Sequence, residues 1–540
     1  MKDISSTGSF IKFYLNNYIY VDKTKYIKDL IKLERVFISR PRRFGKSLTL
    51  DTIATLFETG VEPYFKGTWI YDKWTEPTYP VLRLNFLNFD KNSLEKFNNK
   101  LNSKITEFAE LNHVTTFKEK EEAEDSIDHL LEQLRLENRQ IVILIDEYDC
   151  QMTANINNET LYKQFQEKIK SFYANIKDKF AIKFLGITGV TRLKDVAIFS
   201  VGSDINDITN DSAYSQMIGF TRDEIKKYYI DYLKLAASYE NNCRVEEVTD
   251  TQIESMLDMM AQNYDGYCFD EFYKKKVFST WSVNKFFQSV VSNKFVYFGE
   301  YWYDNGGLPS ILVNYLKTHE LNIFEYLDKD KFLKVSSDDF KNPTALTTIN
   351  QNVLMCQTGY LTLRSDLNKT STVALGIPNG EIYKALNRLL ANNIFKGNTD
   401  ITDDYGRSLL EVGTVDDIIN LFNSALNSVS YDNYPIVSES SVQNMLKLYL
   451  LGAHQKVLSE VHEAKGRADL VVNTDNRRIV FEFKYAKNET EAKSKLLDAV
   501  EQIKTRDYGN IVPNKTELLR IAAVFNADPK VRAFTEYQEV

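Results

Sequence analysis

The chain has 540 residues, 43% of them hydrophobic and 26% charged, with 32 Tyr and 33 Phe. That balance excludes a disordered or low-complexity chain and leaves ample material for about three packed domains. A net charge of -8 rules out a uniformly basic nucleic-acid binder, so any nucleic-acid contact has to be a local patch.

No apolar run approaches the ~18 residues of a membrane span, and the N-terminal stretch lacks a signal-peptide layout. No membrane partner is expected. The four cysteines, Cys150, Cys243, Cys268 and Cys356, show no CxxC pair, and the five histidines show no paired spacing. Reduced thiols and a cytoplasmic setting are the expectation.

Residues 34–39, ERVFIS, form a first strand candidate, and helical spacing starts at Lys46. YPVLRLNF at 79–86 is a second strand, and the charged stretch 91–137 has apolar residues at helical spacing. The continuous apolar runs QIVILIDEYD (140–149) and KFAIKFLGITGV (179–190) predict buried parallel strands. Strands alternating with helices make residues 1–220 an α/β domain with a mostly parallel sheet.

From 221 to 395 the pattern is helical and aromatic-rich with few strong strands, which predicts a lid or connector. GNTDITDDYG (397–406) marks a boundary. Residues 405–540 then read as helices at 414–428 and 439–452, strands GRADLVV and RRIVFEFKY, and a final helix and strand. This is a small α-β-β-β-α-β domain.

Two constellations carry chemistry. Between the first strand and its helix lies Arg40-Pro41-Arg42-Arg43-Phe44-Gly45-Lys46-Ser47. Gly45, Lys46 and Ser47 fit the phosphate-loop pattern GxxxxGK[ST], while Arg40 replaces its first glycine. Lys46 is expected on the β/γ-phosphates and Ser47 on Mg²⁺, with backbone N–H groups at the helix start facing the anion. Arg42 and Arg43 would add cationic character.

Asp146 ends IVILID, where it would hold the Mg²⁺ shell, and Glu147 follows it, placed to activate water. Either piece alone is common, but the joint pattern predicts ATP (or GTP) binding. Thr188 at the tip of the next strand would sense the γ-phosphate. Arg192 could supply charge to the transferring phosphoryl group, or both could be a polar turn.

The second constellation is a hairpin. A turn at Asp475-Asn476 pairs Asn473 with Arg478, Val471 with Val480 and Asp469 with Glu482. Opposed Cβ atoms lie about 4.5–5.5 Å apart, and a divalent cation relieves two carboxylates at that distance. Lys484, two residues beyond Glu482, shares its face, while Phe481 and Phe483 point to the other. Asp469 and Glu482 would hold Mg²⁺ (or Mn²⁺), with Lys484 orienting the water. Glu460 could join the shell, and Gln502 could reach the site edge. Alternatively the three are solvated residues on an exposed face. Arg467, Arg477, Arg478, Lys484 and Lys487 predict a local positive patch.

YVDKT (20–24), RPRRFGKSL (40–48), YPVLRLNF, LIDEYD (144–149) and GITGVTRL (186–193) together resemble the AAA-ATPase-like family of bacterial and mobile-element proteins. YDGYCF, QTGYLTL and IPNGEI extend the likeness. In that family the phosphate loop commonly reads RPRRFGK, so Arg40 departs from the general pattern but not from the family's. The resemblance implies a P-loop NTPase sheet, a helical connector or lid, and a C-terminal PD-(D/E)XK nuclease-like domain. Asp469, Glu482 and Lys484 match the nuclease motif residue by residue. The two constellations together give the leading expectation, an ATP-binding, metal-dependent nuclease gated by its nucleotide site, with DNA or RNA as partner and a homo-oligomer possible. The rival expectation is a non-catalytic, nucleotide-dependent switch or binding platform with a vestigial nuclease fold.

Overall fold

A computed structural model describes residues 1–540 apart from 178, 193–204, 305–309, 317–318, 320–322, 344, 347, 396–404, 454, 464–465 and 509–516. Most of the boundary stretch at 397–406 and of GGLPS at 306–310 therefore lies outside the described residues. The chain divides into two compact units. One comprises Met1–His319 with Phe332–Ile382, and the other Glu320–Lys331 with Tyr383–Val540. The helical, aromatic-rich stretch as far as Ile382, Glu320–Lys331 excepted, thus groups with the N-terminal sheet.

The first unit opens with a short helix, α1 (Phe10–Leu15), and is built on β1 (Arg35–Ser39), α2 (Lys46–Thr59), β2 (Val81–Asn85), β3 (Ile141–Asp146), β4 (Ile182–Gly189) and β5 (Asn206–Asp207). These strands form one sheet in the order β2-β3-β4-β1-β5, every pair parallel. Every residue of β3 is buried, as expected of a parallel strand covered on both faces. Ser39 pairs with Gly189, and Asn85 with Asp146. The carboxyl ends of β1, β3 and β4 thus open onto one edge, where α/β sheets bind ligands.

Helices α3 (Ile230–Glu240), α4 (Asp250–Tyr264) and α5 (Thr280–Asn293) pack around Tyr229, Leu233, Met256, Tyr264 and Phe287. The stretch expected to hold few strands also contains a small antiparallel sheet, β6 (Leu333–Ser336), β7 (Thr362–Leu363) and β8 (Thr372–Gly376), in the order β6-β8-β7. Its strands are two to five residues long, too short for alternation to reveal.

In the second unit α6 (Val415–Asn427) and α7 (Glu439–Gly452) precede β9 (Lys456–Glu463), β10 (Gly466–Asn473) and β11 (Arg477–Ala486). Helix α8 (Glu489–Arg506) then leads to β12 (Glu517–Asn526) and β13 (Ala533–Glu539). The sheet order is β13-β12-β11-β10-β9. Only β11 and β12 run parallel, and α8 is the crossover such a pair requires. Strand β13 is one more than the sequence pattern indicates. It is an edge strand in which only Phe534 is buried, and it lacks an apolar signature.

Among the described residues no helix is long and apolar enough to cross a membrane.

Candidate functional site

The loop after β1 reaches α2 through Gly45, whose φ of 106° is left-handed. A Cβ there would meet nothing within 4 Å, so glycine serves the backbone and not space. Gly45→Ala is expected to destabilise the protein by about 1–2 kcal/mol and weaken nucleotide binding, because an L side chain resists that φ. Thermal melts with and without ATP check it.

Lys46, buried at the first position of α2, donates to the carbonyls of Arg40 (3.0 Å) and Pro41 (3.2 Å) and lies 3.7 Å from Glu147. Ser47 Oγ donates to Asp146 Oδ2 at 2.6 Å, and Thr188 Oγ1 to Asp146 Oδ1 at 2.5 Å. Strand β4 lies between β1 and β3, which is why Thr188 arrives at Asp146. Burial pushes the Glu147 carboxyl up, against the pull of Lys46, and its φ of 53° is held in the left-handed region.

Arg40 does not enter the loop's interior as the missing glycine would suggest. Its side chain turns inward, donates to the carbonyls of Ser39 and Thr209, and stacks on Phe269 at 4.2 Å. Burial lowers its pKa to about 9. Arg43 stacks on Trp281 at 4.4 Å and donates to the Tyr301 carbonyl, and both side chains line the cavity at the loop.

Arg192 stands apart from the cavity at Lys46. Its guanidinium pairs with Asp207, its backbone is clasped by Gln357, and it lines a separate small cavity rather than the one at Lys46. The short β5, invisible in the sequence pattern, supplies that aspartate.

A cavity of 350 Å³ adjoins the loop, within the size range of ligand sites. Arg42, Gly45, Lys46, Ser47 and Glu147 line its phosphate side. Residues 5–8 and 217–220, Trp281 and Asn284 also line it, and the sequence reading assigned none of these a role.

In the second unit the hairpin takes the pairing derived from its turn. Asn473 faces Arg478, Val471 faces Val480, and Leu470 faces Phe481. The ladder ends at Leu470 and Phe481, and Asp469, the next residue, lies close enough to Glu482 for its charge to act on that carboxyl. There Asp469 Oδ2 accepts from the Phe483 N–H at 2.8 Å, and the Asp469 carbonyl accepts from Gln443 of α7.

Glu482 is fully buried. Its Oε1 accepts from Lys484 Nζ at 2.7 Å, while its Oε2 has no hydrogen-bond partner among the described residues. Burial first, and then the Asp469 charge, push its pKa up to about 7. Burial works against the Lys484 charge, but the bond to Glu482 overrides it and raises that pKa.

An orphaned, buried carboxylate oxygen beside a second acid suits a hard cation with oxygen ligands. Among the described residues no third His, Cys, Asp or Glu completes a metal cluster. Water and substrate phosphate would fill the remaining positions.

Glu482 sets a pH dependence. Between its ordinary 4.5 and about 7, the folded chain keeps a proton that the unfolded chain has released. This contribution to stability is complete below the lower value and lost as pH rises through the upper one. A Mg²⁺ ion held by Glu482 would have to displace that proton, so its binding should release close to one proton per chain near pH 6 and few near pH 8. Calorimetry in buffers of different ionisation enthalpy checks this, and Glu482→Gln should remove the release.

Three other expectations concern neighbours. Glu460 lies on β9, with its side chain outside the described residues. Gln502 reaches Tyr508 OH at 3.3 Å. Arg477 is withdrawn from the expected basic patch, pairing with Glu517 and donating to the Gly413 carbonyl at the turn end of the hairpin.

Two residues that the sequence reading passed over approach the carboxylates instead. Glu439, the first residue of α7, lies 3.3 Å from Lys484 Nζ. Arg506 donates to Tyr508 OH at 2.9 Å, and a Cβ on Gly466 would collide with its Cδ at 2.5 Å. The Tyr508 bond raises the Arg506 pKa, with added contributions from Glu482 and Asp469. A glycine at the start of β10 and a basic last turn of α8 were the available signals.

With this geometry in place, comparison with known proteins is informative. Residues 5–199 match the family model described as predicted AAA-ATPase, AAA-ATPase-like, and residues 437–535 match that of the PD-(D/E)XK nuclease superfamily. The chain joins an AAA-ATPase-like domain to a PD-(D/E)XK nuclease-superfamily domain.

A similar protein of Azotobacter chroococcum mcd 1, described as an uncharacterized protein in the vnfD 5′ region, is 26% identical over 533 residues. The match covers 95% of this chain and 94% of that protein. Two solved structures share weaker likeness. The Walker-type ATPase PABY2304 of Pyrococcus abyssi is 10% identical, with 67% of this chain and 94% of that one covered and a TM-score of 0.35. Cdc6p from Pyrobaculum aerophilum is 11% identical, with 68% and 93% covered and a TM-score of 0.23. At those scores neither structure carries an argument about this protein. The AAA-ATPase-like domain thus contains the Lys46 loop, and the nuclease-superfamily domain contains Asp469, Glu482 and Lys484.

Proposed function

We propose that this protein is an ATP-binding, metal-dependent nuclease that cleaves nucleic-acid phosphodiester bonds, with the AAA-ATPase-like domain gating the nuclease domain. The observation that carries the reading is the Glu482 carboxylate, buried near Asp469, with one oxygen unpartnered among the described residues and Lys484 on the other.

Asp469 and Glu482 would hold Mg²⁺ or Mn²⁺, which when bound would activate a water and polarise the scissile phosphate. The Phe483 N–H and Gln443 fix Asp469. Lys484, steadied by Glu482 and Glu439, offers positive charge to the phosphate as negative charge builds on it. Arg506 supplies a second cation from the last turn of α8.

In the AAA-ATPase-like domain Lys46 and the N–H groups after Gly45 would grip the phosphates. Ser47 and Asp146, already joined by a hydrogen bond, would share Mg²⁺. Thr188 would report the γ-phosphate through Asp146. Glu147, with its raised pKa, is the stronger base for aligning water.

The engagement of Arg192 with Asp207 favours a nucleotide that is held rather than rapidly turned over. On that reading, ATP acts as a switch.

The test is a digestion series on plasmid, single-stranded DNA and RNA, with Mg²⁺ or Mn²⁺, with and without ATP. Metal-dependent cutting that changes with ATP supports the proposal. Binding without cutting under every condition would favour a nucleotide-dependent platform.

A further inference from the structure

The first unit contains a second cavity, of 620 Å³, apart from the phosphate loop. Tyr14, Tyr18, Tyr64 and Tyr228 line it. The Tyr14 and Tyr64 rings stand 5.6 Å apart at 87°, and Tyr14 is 44% exposed. Lys2, Lys66 and Lys227 also line it, all exposed, against two acids, Asp22 and Asp231.

Asp22 is already engaged. It accepts from the Thr24 N–H and hydroxyl and from the Trp69 N–H. Lys227 sits 4.9 Å over the Tyr228 ring. Asp22 keeps its charge in those bonds, so three lysines against two aspartates leave an aromatic wall with a small positive excess on a chain whose net charge is -8. Aromatic faces that stack bases, with lysines placed for the phosphates, are how single strands are bound without sequence preference.

We propose that this cavity takes nucleotide units of a single nucleic-acid strand, with bases stacked on Tyr14 and Tyr64 and phosphates toward Lys2, Lys66 and Lys227. The choice of a strand as occupant rests on the reading of the protein as a nuclease.

The position of the cavity adds a consequence. Phe13, Ile19 and Tyr20 line both this cavity and the one at the phosphate loop. The N-terminal segment runs between the two, with Lys2 on one and Ser5–Gly8 on the other. That segment is pinned by backbone carbonyls. Asp3 accepts from the Ile19 N–H, Ile4 from Gln288, and Ser5 from Asn284. Strand and nucleotide therefore share a wall, and each alters the affinity for the other by the same factor.

The experiment uses the full chain carrying Glu482→Gln, so that the strand is not cut, and a single-stranded oligothymidine containing 4-thiothymidine. Cross-links are mapped by mass spectrometry, and affinities for oligonucleotide and ATP are measured in parallel. Cross-links are expected on peptides carrying Tyr14, Tyr64 or Tyr228. Tyr14→Ala with Tyr64→Ala should remove them and weaken strand binding at this cavity by about tenfold or more. It should also abolish the strand's effect on ATP affinity while leaving ATP affinity alone unchanged. Tyr14→Phe with Tyr64→Phe should behave as the parent, because stacking needs the ring and not the hydroxyl.

Cross-links confined to residues 405–540, or strand binding and ATP coupling untouched by the alanine pair, overturn the proposal. So does occupancy by free thymidine monophosphate when the oligonucleotide does not bind. A wild-type chain that cross-links here yet never cuts would sink the nuclease reading and leave this site standing.

Discussion

Asp469→Ala or Glu482→Ala is expected to eliminate cleavage of nucleic acid while ATP binding at the phosphate loop persists. Each substitution leaves one carboxylate, too little charge to hold Mg²⁺ at working concentration. Glu482→Ala also leaves Lys484 without its 2.7 Å partner, with only Glu439 near. Lys484→Ala should differ in kind. It removes charge that acts on the phosphate and leaves both carboxylates in place, so metal should still bind while the rate falls by about 10²–10³. Single-turnover cleavage and metal titration, run on the same preparations, separate the two patterns. A Lys484→Ala protein that cuts at the parental rate would remove the lysine from the mechanism.

Lys46→Ala should lower ATP affinity by about a hundredfold, the scale of losing charge-assisted bonds to phosphate in a dry site. Calorimetry reads it directly. The lysine is buried and held by loop carbonyls, so the ammonium is aimed before nucleotide arrives. Glu147→Gln should instead bind ATP normally and fail to turn it over. If Lys46→Ala binds ATP as the parent does, nucleotide is held elsewhere.

Much of this was legible in the sequence because the decisive signals are local. IVILID is a continuous apolar run, and every residue of it is buried in β3. The register of the β10–β11 hairpin followed from two turn residues, because period-2 pairing propagates from the turn to Val471 and Val480.

What stayed hidden depends on distant chain segments. Nothing near Arg40 says that its guanidinium will find Thr209 and Phe269. Arg192 read as a candidate because Asp207 sits on a two-residue strand with no pattern of its own. Glu439 looked like an ordinary first-turn acid of a capped helix, and only the fold brings it to Lys484. Arg477 leaves the expected basic patch because the fold brings Glu517, forty residues on, to its guanidinium.

The central claim is a divalent cation shared by Asp469 and Glu482. The most direct measurement is Mn²⁺ bound per chain, read by electron paramagnetic resonance without nucleotide, for the wild type and for the Asp469→Ala and Lys46→Ala variants. The account predicts one tight Mn²⁺ in the wild type and in Lys46→Ala, and none in Asp469→Ala. Adding ATP should bring a second to the wild type and not to Lys46→Ala. Tight Mn²⁺ binding that Asp469→Ala leaves unchanged would contradict it.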